Sequence, residues 1–292
     1  MSAKTVQWTM GVLLLVAILV TACGGVAAPT AAPQAKGSVA MILPGPIGDQ
    51  GWNTKAYLAL QAYEKEGYKT AYVDQVPDVD NETHLRTFAQ QGYTLIIGHG
   101  FTFVDPVSKV APEFPNSNFF ITAGLPAEGQ ELPKNVSYMQ YHSEQATYLA
   151  GMLAAYMSKS DVIGYVGAQE TPICLADLAS YKMGAREIKP DINVMSVWTG
   201  VWDDPAKGKE AALTMIDNGA DVLIHDADLT GTGALQAAKE RNVYAIGMVD
   251  DQSSIAPDLF LTSVMLNVTK AIEAQMGLIE NGTFGGVYAP GI

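Results

Sequence analysis

The chain is poor in the residue patterns that mark enzymes, metal proteins and nucleic-acid binders. Its four histidines, His84, His99, His142 and His225, are scattered without HxxxH spacing, and its two cysteines form no CxxC pair. A zinc site is therefore excluded as an expectation. No GxSxG, Walker or GxGxxG motif occurs, and Gly231-Thr232-Gly233 lacks the third glycine in register. No nucleophile–base pair stands out, so neither an enzyme nor a cofactor is expected. No Lys/Arg-rich run occurs, which removes the footprint of a phosphate backbone and argues against a nucleic-acid partner. Lys and Arg number 17 against 30 Asp and Glu, giving a net charge of -13. That balance favours solubility and repels anions, so a neutral or cationic small ligand suits it better than a nucleotide. The longest apolar run, Met10 to Ala22, is also too short for a spanning helix, which needs about 20 residues.

That run suits a signal sequence instead. Lys4 precedes it, and it closes on Val20-Thr21-Ala22-Cys23, followed by Gly24-Gly25. The arrangement resembles the lipobox of bacterial lipoproteins. Residues 1–22 are then a signal peptide, Cys23 the lipid attachment site and 23–37 a flexible Ala/Pro/Gly tether. A lipid at Cys23 anchors the chain at the extracytoplasmic face of the cell membrane without a spanning segment. It also leaves Cys174 alone, with no intrachain disulfide. An uncleaved anchor is the competing reading, disfavoured by the length.

Apolar residues make up 48% of the chain, enough for a real core in one large or two small domains. β-type and α-type patterns alternate along it. Strands are predicted at 38–43, 70–73, 93–97 and 118–122, with helices at 55–66 and 82–91. A helix at 145–157 restarts the rhythm. Strands at 162–166, 193–197, 222–224 and 243–246 then alternate with helices at 175–188, 205–218 and 233–241. Continuous apolar strands between amphipathic helices indicate parallel sheets covered on both faces, here as two doubly wound halves. In such α/β folds ligands lie beyond the carboxyl ends of the strands.

The strand ends carry unusual residues. After the first comes Gly48-Asp49-Gln50-Gly51-Trp52-Asn53, where Trp52 offers a stacking face and Asn53 can donate and accept; Asp49 or Asn53 serves equally well as a helix cap. After the third comes Gly98-His99-Gly100-Phe101, with Phe101 suited to a crevice, Phe103 to the core and His99 to a structural hydrogen bond. Trp202 is a second tryptophan at a strand–helix junction, and Asp204-Pro205 reads as an N-cap with Pro at N1. Asp226 and Asp228 either meet a ligand amine or cap the next helix. Two tryptophans from opposite halves suggest a flat ligand clamped between rings.

As a set, several segments resemble the basic membrane protein (BMP/PnrA-like) substrate-binding lipoproteins of ABC transporters. They are Gly48 to Asn53, Gly100-Phe101, Ala146 to Gly151, Lys159 to Gly167, Trp202 to Pro205, Gly219 to Val222 and Gln236 to Glu240. The resemblance implies a type I periplasmic-binding fold, two Rossmann-like α/β domains joined by a hinge, and purine nucleosides or related ligands. The N-terminal domain then covers 38–141, with 264–292 returning to it, and the C-terminal domain covers 142–263. The family's binding segment falls on Asp49 to Asn53 with Trp52 at the aromatic position, and its second stacking aromatic on Trp202. The chain departs from nucleoside-binding members at Ala123, Val249 and Leu266, where they carry Asp, Asp and Lys. The last two are associated with ribose hydroxyls, and their loss favours a free base such as adenine or hypoxanthine. Family members usually continue past the point matching Gly285-Gly286-Val287-Tyr288.

The leading expectation is a lipid-anchored solute-binding protein that delivers a purine-type base to an ABC permease. Trp52 and Trp202 stack on the ring, Asn53 and Asp228 read its edge, and Asp49 and Phe101 complete the site. A purine nucleoside binder and a surface sensor with the same fold are the alternatives. An envelope enzyme acting on nucleosides would need a base and a nucleophile in the cleft.

Overall fold

The computed structural model describes residues 36–127, 129 and 133–288. Cys23, the proposed signal peptide and all but the end of the proposed tether lie outside the described residues.

Two parallel sheets organise the chain. The first contains β1 (Ser38–Ile42), β2 (Lys69–Val73), β3 (Leu95–Gly98), β4 (Asn118–Ile121), β5 (Val136–Met139) and β11 (Gly286–Tyr288), in the order β11-β5-β4-β3-β1-β2. The second contains β6 (Val162–Gly167), β7 (Asn193–Trp198), β8 (Val222–Asp226), β9 (Tyr244–Val249) and β10 (Phe260–Met265), in the order β10-β9-β8-β6-β7. Every strand pairing among the described residues is parallel. The helices are α1 (Trp52–Lys65), α2 (Asn81–Gln90), α3 (Val104–Val110), α4 (Ser143–Met157), α5 (Pro172–Ile188), α6 (Pro205–Asp217), α7 (Asp228–Arg241) and α8 (Val268–Glu280). None is long and apolar enough to cross a membrane, among the described residues.

The alternation of β1 shows why its run is apolar throughout. Val39 and Met41 pack with Ala56, Ala59, Leu60 and Tyr63 of α1, while Ala40 and Ile42 pack on the opposite face with Leu85, Phe88 and Val107. A strand buried on both faces has no polar side, because successive side chains point to opposite faces. Burying each Leu, Ile or Phe contributes about 1.5–3 kcal/mol relative to leaving it exposed. α8 follows the last strand of the second sheet and packs against α1, where the Tyr63 hydroxyl donates to the Ile272 carbonyl and Thr269 Oγ1 to the Lys55 carbonyl at 2.9 Å. β11 then joins the first sheet beside β5.

Two helix pairs approach until backbones touch. A Cβ on Gly151 of α4 would stand 2.1 Å from the Tyr181 carbonyl oxygen, and one on Gly184 of α5 would stand 1.9 Å from the Tyr148 carbonyl oxygen. Gly208 of α6 and Gly233 of α7 are in the same position, against the carbonyls of Thr230 and Pro205. Both α7 and α1 begin earlier than the sequence pattern predicts, at Asp228 and Trp52. For α7, packing against α6 overrides the weak propensity of a Thr/Gly-rich start. The short β5 and β11, the helices α3 and α8, and the boundaries of β10 were not predicted.

Backbone cannot rotate aside as a side chain can. Gly184→Ala is therefore expected to destabilise the protein by about 1–3 kcal/mol, the usual cost of overpacking. Chemical denaturation checks this, and an unchanged midpoint would show that α4 and α5 can separate freely.

Candidate functional site

The strand-end segments converge on one cavity. After β1, the Asp49 carboxylate is buried and turned into the start of α1. It accepts hydrogen bonds from the backbone amides of Gly51 (2.9 Å), Asn53 (2.8 Å) and Thr54 (2.9 Å), from Asn53 Nδ2 (2.8 Å) and from Thr54 Oγ1 (2.8 Å). These are amides that a helix start leaves without partners. Asn53 Oδ1 in turn accepts from the Gly45 amide at 3.3 Å. Trp52, the first residue of α1, is thereby fixed.

The Trp52 indole stacks on His99 at a centroid distance of 4.3 Å and an interplanar angle of 20°, and meets Tyr141 edge-on at 5.6 Å. His99 is fully buried. Its Nε2 lies 3.0 Å from the Trp52 carbonyl, which only accepts, so Nε2 carries the proton. Nδ1 then accepts from Thr122 Oγ1 at 2.8 Å. Burial pushes this imidazole down to about 4 and keeps it neutral, despite the opposing pull of the Trp52 carbonyl. Its role is to support the indole.

The second wall comes from the other sheet. Thr230 of α7 ties down the loop that carries Trp202: its amide donates to the Trp202 carbonyl (3.0 Å), and its hydroxyl donates to the Val201 carbonyl (3.0 Å) and accepts from the Asp204 amide (2.9 Å). Asp204 caps α6 through the amides of Ala206 and Lys207, with Pro205 at the first turn, as the sequence predicts. Asp228 opens α7 with φ of 43°, and Val249 ends β9 with φ of 70°. Positive φ is a strained conformation for a β-branched residue, and such strain gathers at binding sites.

Trp52, Asn53, Phe101, Trp202 and Asp228 all border a single cavity of about 410 Å³, a volume typical of small-molecule sites. Asp49 does not border it and sits beneath Trp52 and Asn53. Ala123, Val249 and Leu266 border it as well, so the three departures from the nucleoside-binding pattern present apolar surface to the cavity. Asp177 and Asp226 also line it. No Lys, Arg or His does, among the described residues. Burial first, and then Asp226, push the Asp177 carboxyl up to about 8; burial likewise raises Asp226 and Asp228 above the usual carboxylate range. Among the described residues no cluster of His, Cys, Asp and Glu is placed to hold a metal ion.

Several lining residues were not anticipated. Gln169, Thr171, Ile173 and Cys174 follow β6, where the strand-end rule would have pointed. Tyr141 and Ser143 follow β5, itself unread. Asp177 lies a turn inside α5 and gives no local signal.

A parallel α/β fold with an aromatic, acidic cavity between strand ends defines a solute-binding protein of the type I periplasmic class. The comparisons agree. Residues 36–287 match the family model described as ABC transporter substrate-binding protein PnrA-like, and the chain belongs to that family. Its members are binding proteins rather than enzymes. A purine-binding protein of Brucella abortus is 31% identical over 252 residues, covering 85% of this chain and 70% of that one. The nucleoside-binding protein BmpA of an ABC transporter from Lactococcus lactis is 32% identical over 219 residues, covering 70% of this chain and 61% of that one. The crystal structure of an ABC transporter solute-binding protein from Aeropyrum pernix superimposes with a TM-score of 0.80 at 25% identity, covering 87% of this chain and 74% of that one.

The buried neutral His99 has a measurable signature. Its value in the fold, about 4, lies below the 6.5 of a free imidazole. Its contribution is therefore complete above pH 6.5 and is lost as pH falls toward 4, where the unfolded chain takes up a proton that the fold refuses. Relative to His99→Gln, the wild type should lose stability over that window, by at most about 1.4 kcal/mol per pH unit. Denaturation at several pH values checks this, and a pH-independent gap would contradict the neutral assignment.

Proposed function

We propose that this chain is the extracytoplasmic solute-binding component of an ABC importer, capturing a free purine base such as adenine or hypoxanthine and handing it to a membrane permease. The observation that carries this reading is the pairing of Trp52 and Trp202 on one cavity, each presented by a different sheet. Stacking a base on an aromatic ring contributes about 1–3 kcal/mol. Asn53 and Asp228 then read the edge of the ring and Phe101 lines its side, while Asp49 acts from beneath by holding Trp52 and Asn53 in place. Closure brings the two halves together around the ligand by rotation about a hinge. Cys23 carries the lipid that keeps the protein at the membrane.

A free base fits better than a nucleoside because the cavity wall is apolar at Ala123, Val249 and Leu266. A ribose would have to lose its water there with no charged group to receive its hydroxyls, and an unmet polar group is costly to bury. The acidic lining also disfavours phosphate. The name of the Brucella relative supports a purine ligand and that of the Lactococcus relative a nucleoside, without deciding between base and nucleoside.

Calorimetry with adenine and hypoxanthine tests the reading. Trp202→Ala should weaken the binding of either base by at least tenfold, with the fold unchanged. Unaltered affinity would remove Trp202 from the site, and no binding of any purine by the folded wild type would refute the proposal.

A further inference from the structure

The chain passes from β10 to α8 through residues 266–267, beside the cavity, and this crossing is tied on both sides. On one side the Leu266 amide donates to the Val249 carbonyl, at the end of β9, at 3.1 Å. On the other, Thr269 Oγ1 donates to the Lys55 carbonyl of α1 at 2.9 Å. The Lys55 ammonium then lies 2.7 Å from the carboxylate of Asp250, the residue after Val249. The three links close a circuit around the crossing: Val249 to Leu266, Thr269 to Lys55, and Lys55 to Asp250. Every other ion pair among the described residues joins elements of the same half, or residues close in the chain. The Lys55–Asp250 pair instead links α1, which packs on the first sheet, to the end of a strand of the second.

The circuit runs along the apolar end of the cavity. Val249 and Leu266 border that cavity, and so do Trp52 and Asn53, which begin α1 one turn before Lys55. The backbone at Val249 is costly to hold. Its φ is 70°, and the Asp250 amide donates back to the Met248 carbonyl at 2.9 Å, so the chain turns within three residues. So tight a turn at positive φ is rare, and it persists only where its surroundings over-determine it. The Leu266 amide holds this turn at Val249, and the Lys55 ammonium holds it at Asp250.

Rotation of the halves about the crossing would strain all three links. Two of them end on backbone carbonyls. The ion pair joins two long or mobile side chains that are 23% and 27% exposed, so water is its ready alternative and it yields first. We propose, on the reading of the cleft as a purine site, that Lys55 and Asp250 are its positioning pair. Together they brace the crossing and hold the wall at Val249 and Leu266 against the Trp52 end of α1, at the spacing the ligand fills. Neither side chain borders the cavity. Both act through the backbone that carries its walls.

Hydrogen exchange of the ligand-free full-length chain over residues 264–269 reads the brace, because the Leu266 amide is protected only while the crossing is held. Calorimetry with adenine reads its consequence. Lys55→Met and Asp250→Asn should each speed that exchange and weaken adenine by about two- to fivefold, the scale of a partly exposed ion pair. The exchanged pair, Lys55→Glu with Asp250→Lys, should recover most of both losses, which a merely structural role for either residue would not allow. Raising the salt should narrow the gap between wild type and Lys55→Met. Lys270→Met, which removes an ion pair within α8, should change neither reading. Single variants that exchange like wild type, an exchanged pair no better than the single variants, or faster exchange with unaltered adenine affinity would each overturn the brace. If no purine binds while exchange is speeded by the single variants and restored by the exchanged pair, the brace stands and the purine reading alone falls.

Discussion

One buried carboxylate holds the first wall of the cleft. Asp49 collects three backbone amides, the Asn53 side chain and the Thr54 hydroxyl into a single knot at the end of β1. That knot lets α1 start at Trp52, with the indole at the mouth of the sheet instead of inside a frayed turn. Trp52 then places its carbonyl against His99, His99 orients Thr122, and the indole rests on the imidazole ring. Asp49 thus shapes the cavity without bordering it. Its substitution would move an aromatic wall, an edge-reading amide and a buried histidine together.

The second constraint is charge without compensation. The chain carries -13 overall, and its cavity is bordered by several aspartates and no basic side chain among the described residues. Partly exposed cations elsewhere have partners, as in the Lys55–Asp250 pair at 2.7 Å and the Lys189–Asp161 pair at 2.6 Å. Such pairs contribute about 0–1 kcal/mol each. They leave the field inside the cleft acidic, and the acids there must be satisfied by hydroxyls, by retained protons or by ligand donors. A flat neutral base with amino or imino hydrogens meets that demand, and an anion does not.

Much of this arrangement was legible in the sequence, and the limits were physical. Strands buried on both faces, such as 38–42 and 162–167, announce themselves as unbroken apolar runs. β5 did not, because Val136-Ser137-Tyr138-Met139 is short and carries a serine. The strand-end rule found Trp52 and Trp202 because each lies next to its strand in the chain. It missed Asp177, which reaches the cavity only because Gly151 and Gly184 let α5 settle against α4. It also grouped Asp49 with the cavity residues, since a short segment does not reveal which of its polar side chains turns inward. Asp226 and Asp228, noticed after β8, do border the cavity, as the strand-end rule suggests.

The measurement that tests the account most directly is a thermal-shift comparison of adenine and hypoxanthine with adenosine, inosine and AMP on the folded protein. A ligand at 100 times its Kd stabilises by about 2.7 kcal/mol, which such an assay resolves readily. The account predicts a shift with the free bases and none with the nucleosides or the nucleotide. A shift with adenosine equal to that with adenine would contradict it, because the apolar surface at Ala123, Val249 and Leu266 would then be accommodating a sugar.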